Sequence, residues 1–190
     1  MRRAYCVGRW EVPENPRAYP AASRERSEQD GLERVLMSRF FYRLGDSLPR
    51  VYEAQIRGWR GLLVEDVNHD GGCLIEEKLF YSDQISEDLV WLGRQDMDIY
   101  EKIEPLKWWF SKRQLRDIKL KTDRTTRRTF YYLEYEVTLK LVDDEMTFEI
   151  TIPRDGMFKD GHAKPEGDNP IRQTCLFDCS ADFKLINTVD

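Results

Sequence analysis

Apolar and polar positions alternate most regularly between residues 130 and 152. Tyr131, Leu133, Tyr135, Val137, Leu139 and Leu141 are apolar, and Glu134, Glu136, Thr138 and Lys140 stand between them. A period of two puts all six on one face of an extended chain, which predicts a strand with one buried face. Asp143-Asp144 then predicts a turn, and Met146, Phe148, Ile150 and Ile152 resume the alternation against Glu145, Thr147, Glu149 and Thr151. Pro153-Arg154-Asp155-Gly156 closes the return. The unit is a predicted β-hairpin.

Other segments carry shorter signals. Cys73 to Tyr81 is strand-like, ending in Leu79-Phe80-Tyr81, and Leu106 to Phe110 and Ile118 to Leu120 suit further strands. Residues 171–186 hold two apolar pieces, Cys175-Leu176-Phe177 and Phe183-Lys184-Leu185-Ile186. Residues 157–170, rich in Gly, Pro, Asp and Lys, predict a long loop, and residues 11–31 predict a connector. Residues 30–45 pull two ways. Leu32, Val35, Leu36, Phe40 and Leu44 fit a helical face, with Asp30 and Glu33 as a capping box and Gly45 as a stop. Phe40-Phe41-Tyr42 instead suits a strand. Periodicity alone favours the helix.

The 190 residues are the length of one domain, and 41% hydrophobic content with 12% aromatics is enough for a packed core. No apolar run approaches the ~20 residues of a membrane helix. Arg9 interrupts the first apolar stretch before a secretion signal core forms. Cys6, Cys73, Cys175 and Cys179 are too scattered for a disulfide framework, and the Cys175–Cys179 spacing lacks a nearby histidine for zinc. These features predict a soluble cytoplasmic chain with reduced thiols.

The net charge of -5 is unevenly spread. Residues 107–128 hold nine basic and two acidic side chains, flanked by Trp108-Trp109-Phe110 and Phe130-Tyr131-Tyr132. Basic groups interleaved with aromatics are what single-strand nucleic acid binding needs. The acidic chain as a whole argues against it, and a solvated strand edge is the plainer reading.

Catalytic patterns are thin. There is no Gly-x-Ser-x-Gly elbow, no His-Glu-x-x-His helix and no Gly-rich phosphate loop. His69 and His162 both lie in loop-like sequence. Glu76-Glu77 and Asp143-Asp144-Glu145 qualify as acid/base candidates only if one is buried, and such clusters are mostly solvated. The sequence predicts a non-catalytic protein without a cofactor.

One motif is sharper. Asp66-Val67-Asn68-His69-Asp70-Gly71, followed by five residues and then Glu77, satisfies D-x-[DN]-x-[DN]-G-x5-E in full. Calcium takes six to eight oxygens, and Asp66, Asn68, Asp70 and Glu77 at this spacing would supply several of them around a tight glycine turn. Against it stand Gly58 and Gly61 in the incoming segment, Cys73 at the eighth position and a strand-like exit through Glu77-Lys78-Leu79-Phe80-Tyr81. The competing reading is an ordinary β-turn.

Read end to end, the order of several segments resembles the C-terminal half of divergent fungal seventy-kilodalton heat-shock-like proteins. Arg2-Arg3-Ala4-Tyr5-Cys6-Val7 is similar to the strand that closes that family's actin-like ATPase domain, with Cys6 where glycine is usual. Phe40-Phe41-Tyr42-Arg43-Leu44-Gly45-Asp46, Leu79-Phe80-Tyr81-Ser82-Asp83 and Phe130-Tyr131-Tyr132-Leu133-Glu134-Tyr135-Glu136-Val137 resemble later landmarks of the family, with Met146-Thr147-Phe148-Glu149 as the return strand. The resemblance implies a remnant of the ATPase domain plus connector over residues 1–30. It implies an antiparallel β-sandwich-like, substrate-binding-like domain with few helices over residues 31–190, with residues 35–45 extended. Most of the ATPase domain and all its phosphate loops lack a counterpart, so the implied activity is passive, non-catalytic binding of unfolded or extended polypeptides. It also implies an open strand edge through which copies of the chain can self-associate. Two alternatives remain: calcium binding through the Asp66–Glu77 loop, and a non-functional gene fragment without cooperative unfolding.

Overall fold

The computed structural model describes residues 3–27, 30–93, 98–102, 105–123, 126–142, 145–153, 171–176 and 183–185. The elements in chain order are β1 (Ala4–Glu11), β2 (Arg24–Arg26), β3 (Glu33–Phe40), β4 (Val51–Leu63), α1 (Val64–Asp70), β5 (Gly72–Glu77) and β6 (Leu79–Ser82). There follow β7 (Ile99–Lys102), β8 (Leu106–Ser111), α2 (Lys112–Leu115), β9 (Leu120–Thr122), β10 (Thr129–Val142), β11 (Glu145–Ile152), β12 (Ile171–Leu176) and β13 (Phe183–Leu185). The chain is mainly β, with every strand pair among the described residues antiparallel.

The predicted hairpin is present. β10 and β11 pair from Glu136↔Thr151 to Val142↔Glu145, and the six alternating apolar residues of β10 with Met146, Phe148, Ile150 and Ile152 all enter the main core. β10 also pairs along its other edge with β4, from Phe130↔Leu63 to Val142↔Val51. The second sheet thus runs β12-β11-β10-β4, with β9 attached at the start of β10. The first sheet runs β13-β7-β6-β1-β3-β2, and β5 with β8 forms a separate ribbon. Side chains from all three assemblies share the main core: Tyr5 and Val7 from β1, Ile75 from β5, Trp108 and Phe110 from β8, and the hairpin residues. The arrangement is sandwich-like.

β1, from the segment read as a remnant, lies inside the first sheet between β3 and β6. Its position explains burial on both faces: Tyr5 and Val7 enter the main core, whereas Cys6 joins Phe80, Leu92 and Ile99 in a smaller cluster.

Residues 33–40 form a strand, not the helix that periodicity favours. β3 is paired along both edges, by β1 on one and by β2 and the segment around Val90 on the other, and its buried residues fall on both faces, Val35 and Met37 on one and Arg34 and Ser38 on the other. An apolar set spread over two faces imitates the i, i+3, i+4 spacing of a helix. Asp30 accepts a hydrogen bond from the Leu32 amide at 3.0 Å instead of capping a helix. Gly45, at φ 81°, supplies the left-handed residue of a turn in which the Arg43 amide donates to Asp46 Oδ2 at 2.9 Å.

Other expectations shift more modestly. Cys73–Tyr81 splits at Lys78 into β5 and β6, which belong to different sheets. Ile118 is a buried loop residue and only Leu120 of its segment is in a strand, β9. The 11–31 connector contains β2 and two short 3-10 turns at Pro16–Ala18 and Ala21–Ser23. The turn at Asp143-Asp144, the loop at 157–170 and His162 lie outside the described residues.

Candidate functional site

Among the described residues β4 is the terminal strand of its sheet. Its inward positions Tyr52, Ala54, Ile56 and Leu62 pack on the core, and Gly58 and Arg60 continue that face. Gly58 is there because the space is taken. A Cβ on it would stand 2.9 Å from Tyr135 Cζ and 3.0 Å from Arg9 Nε. The missing side chain lets Arg9 of β1 and Tyr135 of β10 approach beside β4.

These residues surround Glu77, at the end of β5. Arg9 Nη1 donates to Glu77 Oε2, the Tyr135 hydroxyl donates to Oε1, and Arg60 Nη2 lies 3.3 Å from the same Oε1. Arg60 also donates to the Glu76 carbonyl. The Arg9 guanidinium carbon is 5.3 Å from the Tyr135 ring centroid, a cation–π contact. Glu77 and Arg9 are 2% and 8% exposed, so this is a buried network of charge-assisted hydrogen bonds. Burial pushes the Tyr135 hydroxyl up to about 12, and the neighbouring carboxylate adds to the shift, so the phenol stays a neutral donor.

The network floors a cavity of about 730 Å³. Residues 57–63 of β4 form one wall and Gly8, Arg9, Trp10 and Glu11 of β1 another, with Arg34, Arg128, Asp66 and Asp70 also on its lining. Trp10 and Trp59 are both partly exposed there, at 44% and 39%. On the outer side of β4, Arg34 stands 5.2 Å from the Trp59 ring, Trp59 stacks on Tyr132 at 5.7 Å, and Lys121 covers the far face of Tyr132.

Arg34 is itself held by Asp30, through bonds of 2.9 and 2.5 Å. That hydrogen bonding from Arg34 holds the Asp30 carboxyl down at about 2, below its ordinary ~3.9. A depressed folded-state value stabilises above pH ~4 and is lost as pH falls towards 2. Asp30→Asn will therefore flatten the acid-side fall in stability between pH 4 and 2, read from urea midpoints in that range. The carboxylate is more than a third exposed, so the change will be small.

The calcium motif is not assembled as a loop. Asp66, Asn68 and Asp70 lie on the helix α1, and Gly71 ends that helix in the left-handed conformation at φ 74°. It is not a plain β-turn either. Glu77, the expected bidentate ligand, has both oxygens engaged by Arg9, Arg60 and Tyr135. Asp70 bonds His69, and no cluster of three metal-ligating side chains stands among the described residues. Cys73, at the eighth motif position, is buried in β5, and burial pushes its thiol up to about 11.

Of the carboxylates weighed for acid/base work, Glu77 is buried against the expectation of solvation, whereas Glu76 faces Lys107 across β5–β8 at 3.6 Å. Around the basic block, Trp108, Phe110 and Tyr131 belong to the core and Trp109 faces outward. The sequence reading does not pick out Arg9, Gly58, Arg60 or Tyr135 as site residues: it takes Arg9 as a break in an apolar stretch, Gly58 as a weakness of the calcium motif and Tyr135 as a core position. Two signals pointed to them: an arginine set in the apolar run of β1, and a glycine on the apolar phase of Tyr52, Ala54 and Ile56. Compared with family models, curated proteins and solved structures, the chain matches none.

Proposed function

We propose that this chain is a non-catalytic, cytoplasmic polypeptide-binding β-domain that holds an extended client along the outer edge of β4. The observation that carries this reading is the position of that edge. Among the described residues β4 pairs only with β10, and its other side opens onto the cavity faced by Trp10 and Arg9. A terminal strand presents backbone donors and acceptors that an incoming strand at ~4.8 Å satisfies, and pockets for its alternate side chains give selectivity. Trp10 and Trp59 offer apolar area at the groove for those side chains. The resemblance to the substrate-binding half of heat-shock-like proteins points the same way, with binding that is passive and independent of nucleotide. Among the described residues no helix is long and apolar enough to cross a membrane.

The test is a titration of the chain into a fluorescently labelled, permanently unfolded polypeptide, followed by anisotropy. Saturable binding is expected, unchanged by ATP or calcium, and weakened about tenfold or more when Trp10 and Trp59 are both replaced by alanine. A cooperatively folded chain that leaves the anisotropy flat overturns the proposal.

A further inference from the structure

The floor of the groove holds more positive than negative charge. Arg9 and Arg60 share one carboxylate, Glu77, and the Tyr135 phenol is neutral. Arg9 spends only one of its nitrogens on this cluster, Nη1, which reaches Glu77 and the Gly8 carbonyl at 3.2 Å. Its Nε and Nη2 are buried with no hydrogen-bond partner, on a side chain that is only 9% exposed. A buried, unsatisfied donor costs about 1–3 kcal/mol, and more when it is charged. Nε and Nη2 also form the side edge of the guanidinium, which matches the two oxygens of a carboxylate.

Gly58 places this edge within reach of a bound strand. Side chains directly opposite in an antiparallel pair sit ~4.5–5.5 Å apart at Cβ. At the Gly58 position β4 has no side chain, so the inward side chain of a strand added to β4 at that register meets Arg9. Of the other carboxylates on the lining, Glu11 is engaged by Arg39 at 2.9 Å and Asp70 by His69, while Glu25 and Asp66 stand elsewhere on the wall and form no ion pair with Arg9.

We infer that the groove selects extended peptides carrying a glutamate at the Gly58 register, whose carboxylate takes Nε and Nη2 of Arg9. This specificity rests on the polypeptide-binding reading above and narrows it. The chain's net charge of -5 repels acidic peptides in general, so a preference for one reports this site and not bulk attraction.

The experiment uses the full chain and two labelled extended nonapeptides, identical except for Glu or Gln at the centre, with anisotropy as the readout. The Glu peptide is expected to bind about tenfold tighter or more. Arg9→Lys keeps a cation for Glu77 and loses the guanidinium edge, and it should bring the Glu/Gln ratio close to one. Should Arg9→Lys fail to unfold cooperatively, Gly58→Ala crowds the same edge and is expected to reduce Glu-peptide affinity more than Gln-peptide affinity. Equal binding of both peptides overturns the carboxylate assignment and leaves the polypeptide-binding reading standing. Binding of neither overturns both. Displacement of the Glu peptide by millimolar inorganic phosphate, with the Gln peptide unmoved, assigns the edge to a free oxyanion and overturns the peptide specificity.

Discussion

Glu77→Ala is expected to destabilise the fold by about 3–5 kcal/mol, the range for removing one partner of a buried ion cluster. The loss is large because Glu77 is the shared acceptor for Arg9, Arg60 and Tyr135. Alanine leaves the phenol without its acceptor and the two guanidinium groups with only the backbone carbonyls of Gly8 and Glu76, and Arg9 already holds two unpartnered nitrogens. Against a typical total of about 5–15 kcal/mol, such a change brings many domains near their unfolding threshold. Urea denaturation reads it directly as a lower midpoint. A loss under about 1 kcal/mol would mean that water reaches the arginines and the cluster is not buried in solution. The double substitution Arg9→Met with Glu77→Leu should recover part of the deficit, because an apolar pair of similar volume removes the desolvation penalty along with the attraction.

Phe148→Ala is expected to cost about 3–5 kcal/mol through a different mechanism, the cavity it leaves. Phe148 is fully buried at the middle of β11, opposite Leu139 of β10, and meets Phe41 edge-on at 5.6 Å between ring centroids. Phe41 arrives from the end of β3, so the contact ties the first sheet to the second. At roughly 2–4 °C per kcal/mol for a chain of this size, the thermal midpoint should fall by about 10 °C. A shift of only a degree or two would show that the surrounding core closes over the gap.

The part of this architecture legible in the sequence is the part whose faces see different environments. β10 and β11 have one apolar face in the core and one polar, partly covered face, so their register is written as alternation and both strands fall where the pattern puts them. β3 carries apolar residues on both faces, Val35 and Met37 on one and Leu36 and Phe40 on the other, so its spacing fits a helix as well as a strand, and of Phe40-Phe41-Tyr42 only Phe40 lies in the strand. β4 shows alternation from Tyr52 to Ile56, yet Gly58 and Gly61 and the calcium-like motif behind them drew attention to a loop and its approach. The same residues also suit a short helix: Asp66 stands in the first turn of α1, where acidic side chains are favoured, and Gly71 supplies its left-handed exit. The candidate site was hardly legible, since Arg9, Gly58, Glu77 and Tyr135 come from three separate sheet assemblies and meet only where β1 and β5 pack against the paired β4 and β10. Of these, Glu77 alone stood out as a candidate site residue, as a metal ligand or an acid/base group, where burial next to two arginines makes it the anchor of an ion cluster.

The long pairing of β4 with β10 also dictates the order in which the chain folds. Its register joins Leu63 to Phe130 and Val51 to Val142, so each rung closes a loop containing α1, the β5–β8 ribbon and β9. The entropy of closing such a loop is spent before any rung returns hydrogen bonds or burial. β10 and β11 are two residues apart in the sequence and can zip on the ~1–10 μs scale of hairpins. The second sheet therefore grows outward from its hairpin, and β4 docks late, on the millisecond-to-second scale of non-local β pairing. Until it docks, this 13-residue strand has both edges open to other copies of the chain. Refolding yield will accordingly depend on protein concentration more than on the stability of the finished sheet.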